Sequence, residues 1–120
     1  DHPLARLEAM LAAHVDFVIA SPGVPRILFG ELQRAGDTPT KAIVRDLMAG
    51  YRARVARELS AARDAGEIAA GTDVDAATVM FLAMVQGLVM QALAVDDFSA
   101  MPALARRLFG LFRQGLGEAP

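Results

Sequence analysis

Apolar side chains recur along this chain at intervals of three and four, and prolines and glycines cut the pattern into five segments. Pro3 suits a first helical turn, and Leu4, Leu7, Leu11, His14 or Val15, and Val18 continue a helical period to about Ala20. Ser21-Pro22 then reads as an N-cap followed by proline at the first helical position, which opens a short second helix carrying Ile27, Leu28, Phe29 and Leu32. Gly36 and Asp37-Thr38-Pro39 end that helix and cap a third. The third runs to Gly66 with Val44, Leu47, Met48, Tyr51, Val55, Leu59 and Ala62 along one stripe. Its length is about 40 Å at the ordinary helical rise. Arg45, Arg52, Arg57 and Asp64 occupy the other face with Arg54 and Glu58 at i,i+4 spacing, and a solvated face explains them most simply.

Gly66 is a natural residue to follow a helix end, and GEIAAGTDVD is the loop beyond it. Thr72 or Asp73 caps a fourth helix, near whose positive end Asp75 is favourably placed. Residues 79–95, VMFLAMVQGLVMQALAV, carry no charge, and only Gln86, Gly87 and Gln91 interrupt the apolar run. Such a run is either a membrane span or a soluble helix covered on all sides. A span needs about 20 apolar residues with anchoring groups at its ends, whereas this stretch is shorter and is followed by Asp96-Asp97. It also has two unlike faces. Ala76, Met80, Ala83, Gly87, Met90 and Ala94 fall on one side, small or flexible; Phe81, Val85, Leu88, Val89 and Ala92 fall opposite, mostly bulky. A helix held between two packed surfaces needs that division and a lipid-facing one does not, so the soluble reading is preferred.

Asp96, Asp97 and Ser99 break the chain before a fifth helix over residues 100–116. Its apolar face, Met101, Leu104, Ala105, Leu108, Phe109, Leu111, Phe112 and Leu116, covers nearly half the circumference; Arg106, Arg107, Arg113 and Gln114 hold the rest. No strand pattern persists, so the expected fold is all-α, five helices in a single domain over residues 1–120. The last two helices carry more apolar surface than the other three can cover. A second copy of the chain is the simplest cover, with the last two helices forming a dimeric four-helix bundle. Its interface is expected at Ala76, Met80, Ala83, Gly87, Met90 and Ala94, with Leu104, Leu108, Leu111 and Phe112.

Composition narrows the function. A formal net charge of −2 offers no basic excess to attract nucleic acid or an anionic membrane. Cysteine is absent, which removes thiol chemistry and fits a reducing compartment. Lys41 is the sole lysine and alanine is abundant, a bias that suggests a GC-rich bacterial genome. The chain opens at Asp1 with no signal-peptide pattern, and it is expected to be the back part of a longer, cytoplasmic protein. Catalysis has little to stand on. The two histidines, His2 and His14, build no pair, no phosphate-binding loop or nucleophile elbow is present, and Asp73, Asp75, Asp96 and Asp97 are explained by helix ends. No enzyme activity, cofactor or metal is expected.

The residues that stand out are candidates for binding. His14 lies on the apolar stripe of the first helix, and is read first as a core histidine with one hydrogen bond and second as a ligand contact. Tyr51 is the sole tyrosine, and a buried phenol needs a partner from protein, water or ligand. Of Gln86 and Gln91, one is expected to bond across the dimer or to a neighbouring helix and the other to face a cavity. Methionines suit either a plain core or an adaptable pocket. A pocket between the first, third and fourth helices is expected to draw on His14, Phe17, Phe29, Met48, Tyr51, Met84, Leu88 and Gln91, and to prefer an apolar or aromatic compound. Glu31 is available to a cationic ligand, though a plain surface role is the simpler reading.

SPGVPRILFGEL at 21–32, the long helix closing in DAGEIAAGTDVDAA at 64–77, and MVQGLVMQ at 84–91 together resemble one family. In order and spacing they are similar to the C-terminal ligand-binding and dimerisation domain of TetR-family, tetracycline-repressor-like transcriptional regulators. The resemblance covers essentially the whole chain and implies that the five helices are the last five of the family's usual nine. It further implies a homodimer that senses a small-molecule effector and changes the spacing of two DNA-reading heads. The family's N-terminal helix-turn-helix has no counterpart in these residues, so DNA contact is expected only through that missing domain. The alternatives are a stand-alone helical dimerisation or ligand-binding module, and, less readily, a small helical enzyme.

Overall fold

A computed structural model describes residues 2–117. Among them are five α-helices and no strand: α1 (Pro3–Ala20), α2 (Gly23–Leu32), α3 (Pro39–Asp64), α4 (Val74–Val95) and α5 (Met101–Gly115). The all-α expectation holds, and each helix lies where the periodicity put it. Helix α1 packs against α3, α4 and α5, and α3 also packs against α4 and α2. The core is one cluster. Leu7, Leu11, Val15 and Val18 of α1 meet Val55 and Leu59 of α3, Phe81, Val85 and Val89 of α4, and Phe109 and Phe112 of α5.

Local chemistry sets the boundaries. The Thr38 side chain accepts from the Lys41 amide at 3.1 Å with Pro39 in the first turn, and Asp73 accepts from the Ala76 amide at 3.1 Å. Each satisfies one of the amides that a helix start leaves without an intrahelical partner. At the end of α3, Gly66 takes φ +77°, a conformation costly for any residue with a Cβ. This lets the Glu67 amide donate to the Ala62 carbonyl at 2.9 Å and the Gly66 amide to Arg63 at 3.1 Å, a Schellman closure. The reversal sends Ile68 into the core. It also brings the Glu67 carboxylate to the start of α1, where it accepts from the Leu4 amide at 3.0 Å. A residue 63 positions away thus supplies the cap that α1 lacks, since His2 makes no side-chain cap bond.

Three expectations need correction. Ser21 does not cap α2, whose preceding residue Pro22 is already helical; instead Ser21 closes α1, its amide donating to the Phe17 carbonyl at 2.9 Å, where the two helix axes turn by 98°. The stripe on α3 is buried only in part. Val44, Val55, Leu59 and Ala62 are covered, but Leu47 and Met48 are exposed because only α2 lies near that end. Arg54 and Glu58 do not pair either, since Glu58 reaches across to Arg6 of α1 at 2.9 and 3.1 Å.

Helix α2 is tied down at its C-terminal end. The Thr38 hydroxyl donates to Glu31 at 2.6 Å, which holds the Glu31 carboxyl below its ordinary pKa, and Lys41 bonds the Arg34 and Gly36 carbonyls. Glu31 is therefore engaged at the α2–α3 turn.

Candidate functional site

Two regions of the surface lack ordinary structural explanations, a cavity and an uncovered helix face. The cavity, about 440 Å³, opens between α1 and α3 and is lined by Arg6, Ala9, Met10, Ala13 and His14 from the first and Tyr51, Arg54 and Glu58 from the second. His14 and Tyr51 form one wall, their ring centroids 5.7 Å apart and inclined by 59°. Burial lowers the His14 pKa from its ordinary value, so the imidazole is neutral at neutral pH. Burial raises the Tyr51 phenol, while the nearby Arg54 cation acts in the opposite sense. The phenol oxygen is covered and has no hydrogen-bond partner among the described residues. An unpaired buried hydroxyl costs about 1–3 kcal/mol, a deficit that a ligand or water can repair.

Tyr51 also connects the cavity to the interior. Its ring lies 6.5 Å from Phe81 of α4, which meets Phe112 of α5 edge-on at 5.7 Å, and Phe112 lies 5.9 Å from Phe109. A continuous run of rings therefore joins the cavity wall to the last two helices. A second depression, about 400 Å³, lies on the other side of α1 against Pro102, Ala105 and Arg106 of α5.

The expected pocket residues come together only in part. His14 and Tyr51 line the cavity as proposed. Phe17 and Met48 turn to solvent, at 51% and 39% exposure, and Gln91 is exposed. Leu88 is core, and Phe29 and Met84 are half-buried against the core rather than lining the cavity. No α4 residue reaches this cavity, because Phe81 and its neighbours fill the space between α3 and α4. Periodicity missed Arg6, Met10, Arg54 and Glu58; the usable signal was the pair of arginines on two helices with a single glutamate to share.

The uncovered face belongs to α4. Ala76, Met80, Ala83, Met90 and Ala94 are exposed and Gly87 half-exposed, exactly opposed in kind to the buried Phe81, Val85, Leu88 and Val89. Met80 and Met90 stand 51% and 45% exposed. A Cβ on Gly87 would meet no heavy atom within 4 Å. On α5, Leu111 is exposed and Leu104 and Leu108 half-buried, whereas Phe112 is 4% exposed and points into the chain's own core. Phe112 is thus corrected from an interface residue to a core residue, because its ring is taken up by Phe81 and Phe109. By length and composition α4 is the one described helix that passes for a membrane span, yet its bulky face packs into the core.

The sequence model of the tetracyclin repressor-like C-terminal domain matches residues 29–109. The chain belongs to this family. Searches of curated proteins and of solved structures return no match. The matched stretch of the repressor-like domain includes the whole of α3 and α4 and most of α5, and hence the uncovered α4 seam and the Tyr51 wall. Domains of this family are regulatory, and that is the level of function the match establishes. Helix α1, which supplies the other cavity wall, lies outside the matched residues.

Proposed function

We propose that this domain is the effector-binding and homodimerisation part of a bacterial, cytoplasmic, tetracycline-repressor-like regulator, non-enzymatic, with DNA contact supplied by an N-terminal domain. The observation that carries the reading is the α4 seam: small and flexible side chains along one face of a helix whose bulky face is buried, left uncovered by the chain itself. Leaving Met80, Met90 and Leu111 in water is unfavourable by about 25 cal/mol for each Å² of apolar surface, and a second copy removes that cost. Pairing of α4 and α5 with their symmetry mates forms a four-helix bundle, with an interface of the obligate kind of about 2,000 Å² or more. Effector binding is assigned to the cavity at His14 and Tyr51, because a covered phenol without a partner among the described residues sits on its wall. The ring contacts from Tyr51 through Phe81 to Phe112 support a mechanical link between that cavity and the paired helices.

Sedimentation velocity at micromolar concentration tests the reading. A dimer is expected, and a monomer across that range overturns the assignment of the seam.

A further inference from the structure

The cavity between α1 and α3 is unbalanced in charge. Arg6 and Glu58 face each other with both carboxylate oxygens engaged, at 2.9 and 3.1 Å, so each neutralises the other. Arg54, one turn before Glu58, lines the same cavity. Among the described residues it pairs with no carboxylate. His14 adds no charge at neutral pH, and Ala9, Met10 and Ala13 supply a small, apolar surface beside the two rings. A cationic ligand would find its one possible counterion, Glu58, already committed. A neutral apolar ligand would fill the space but leave Arg54 unused. A phosphate ester would need a second free cation, which Arg6 is not.

We propose, on the reading of this cavity as the effector site, that its ligand class is an aromatic monocarboxylate, with the carboxylate on Arg54 and the ring against His14, Tyr51 and Met10. The planar guanidinium offers two parallel N–H donors to the two carboxylate oxygens, which gives direction as well as charge. Rings of this kind prefer offset or edge-on approach, and the 59° inclination of His14 to Tyr51 presents both a face and an edge. Arg54 is exposed, so water competes for it, and a carboxylate gains a moderate preference of about two- to fivefold over a neutral isostere rather than an absolute requirement.

The test titrates the protein with 2-naphthoate and with 2-naphthamide by calorimetry, and follows the His14 and Met10 resonances by NMR. The acid is expected to bind about two- to fivefold more tightly than the amide. Arg54→Gln should abolish that preference, lowering acid affinity more than amide affinity, and Arg54→Lys should restore part of it. Amide binding equal to or tighter than acid binding overturns the proposal, as does an undiminished preference in Arg54→Gln. If both compounds move His14 and Met10 with the same affinity, the effector site stands and the carboxylate class falls. If neither compound moves them at millimolar concentration, both fall.

Discussion

Gly87→Leu separates the packing of the chain on itself from its packing on a second copy. Gly87 lies midway along α4, and a Cβ there meets open space in the monomer. Replacing a mid-helix glycine also relieves its entropic cost, roughly 0.5–1 kcal/mol in favour of the helix. The isolated chain should therefore keep its fold and gain slightly in intrinsic stability. In the proposed dimer the same four-carbon side chain enters a seam of small residues from both copies. Overpacking costs about 1–3 kcal/mol per insertion, so two insertions cost about 2–6 kcal/mol and raise the dimer Kd by roughly 30- to 20,000-fold. Sedimentation velocity across the micromolar range reads the shift to monomer, and circular dichroism of the dissociated protein confirms that helicity survives. Gly87→Ala, adding one carbon, should sit near wild type. A Leu variant whose Kd stays within about twofold of wild type refutes the seam, since an interface that accepts two leucines for about 0.4 kcal/mol cannot be closely packed there.

Four further outcomes are expected. His14 has its pKa lowered by burial, so its contribution to stability is complete above the unfolded value of 6.5 and is lost as pH falls from there through the folded value; urea midpoints should drop more between pH 7.5 and 5 in wild type than in His14→Phe, and equal drops would contradict a buried neutral imidazole. Glu67→Ala removes the acceptor for the Leu4 amide and should cost about 1 kcal/mol, or about 4 °C in Tm, with Glu67→Gln recovering most of it. Tyr51→Phe deletes a hydroxyl that has no partner among the described residues, so apo stability should hold or rise by up to about 1 kcal/mol, and a loss larger than that in urea unfolding would reveal a partner. These 120 residues alone should give no sequence-specific gel shift, because their arginines are scattered over α1, α2, α3 and α5 and the net charge is −2.

The helices and their ends were legible from residue order because the forces that set them act over a few residues. Pro39 after Thr38, Asp73 three residues before the amide it caps, and Gly66 at a left-handed turn are all local bargains between side chain and backbone. The two unlike faces of α4 were legible for the same reason, since a 3.6-residue period fixes which side chains share a side. Periodicity does not say what lies opposite a face. Leu47 and Met48 continue the α3 stripe in pattern yet stand in solvent, because α1 and α4 cover only the later turns.

Long-range pairing was decided by the tertiary arrangement. Glu58 had an arginine four residues before it and bound Arg6 instead, 52 positions away, because helix packing placed that guanidinium where both carboxylate oxygens could be met. The same packing turned Phe112 inward onto Phe81 and made a cavity of His14, Tyr51 and Arg54. Short-range order along the chain settles which residues are helical and which of them share a face. Which of those faces meet, and therefore which charge is left without a partner at the cavity, follows from how five helices divide one small core among them.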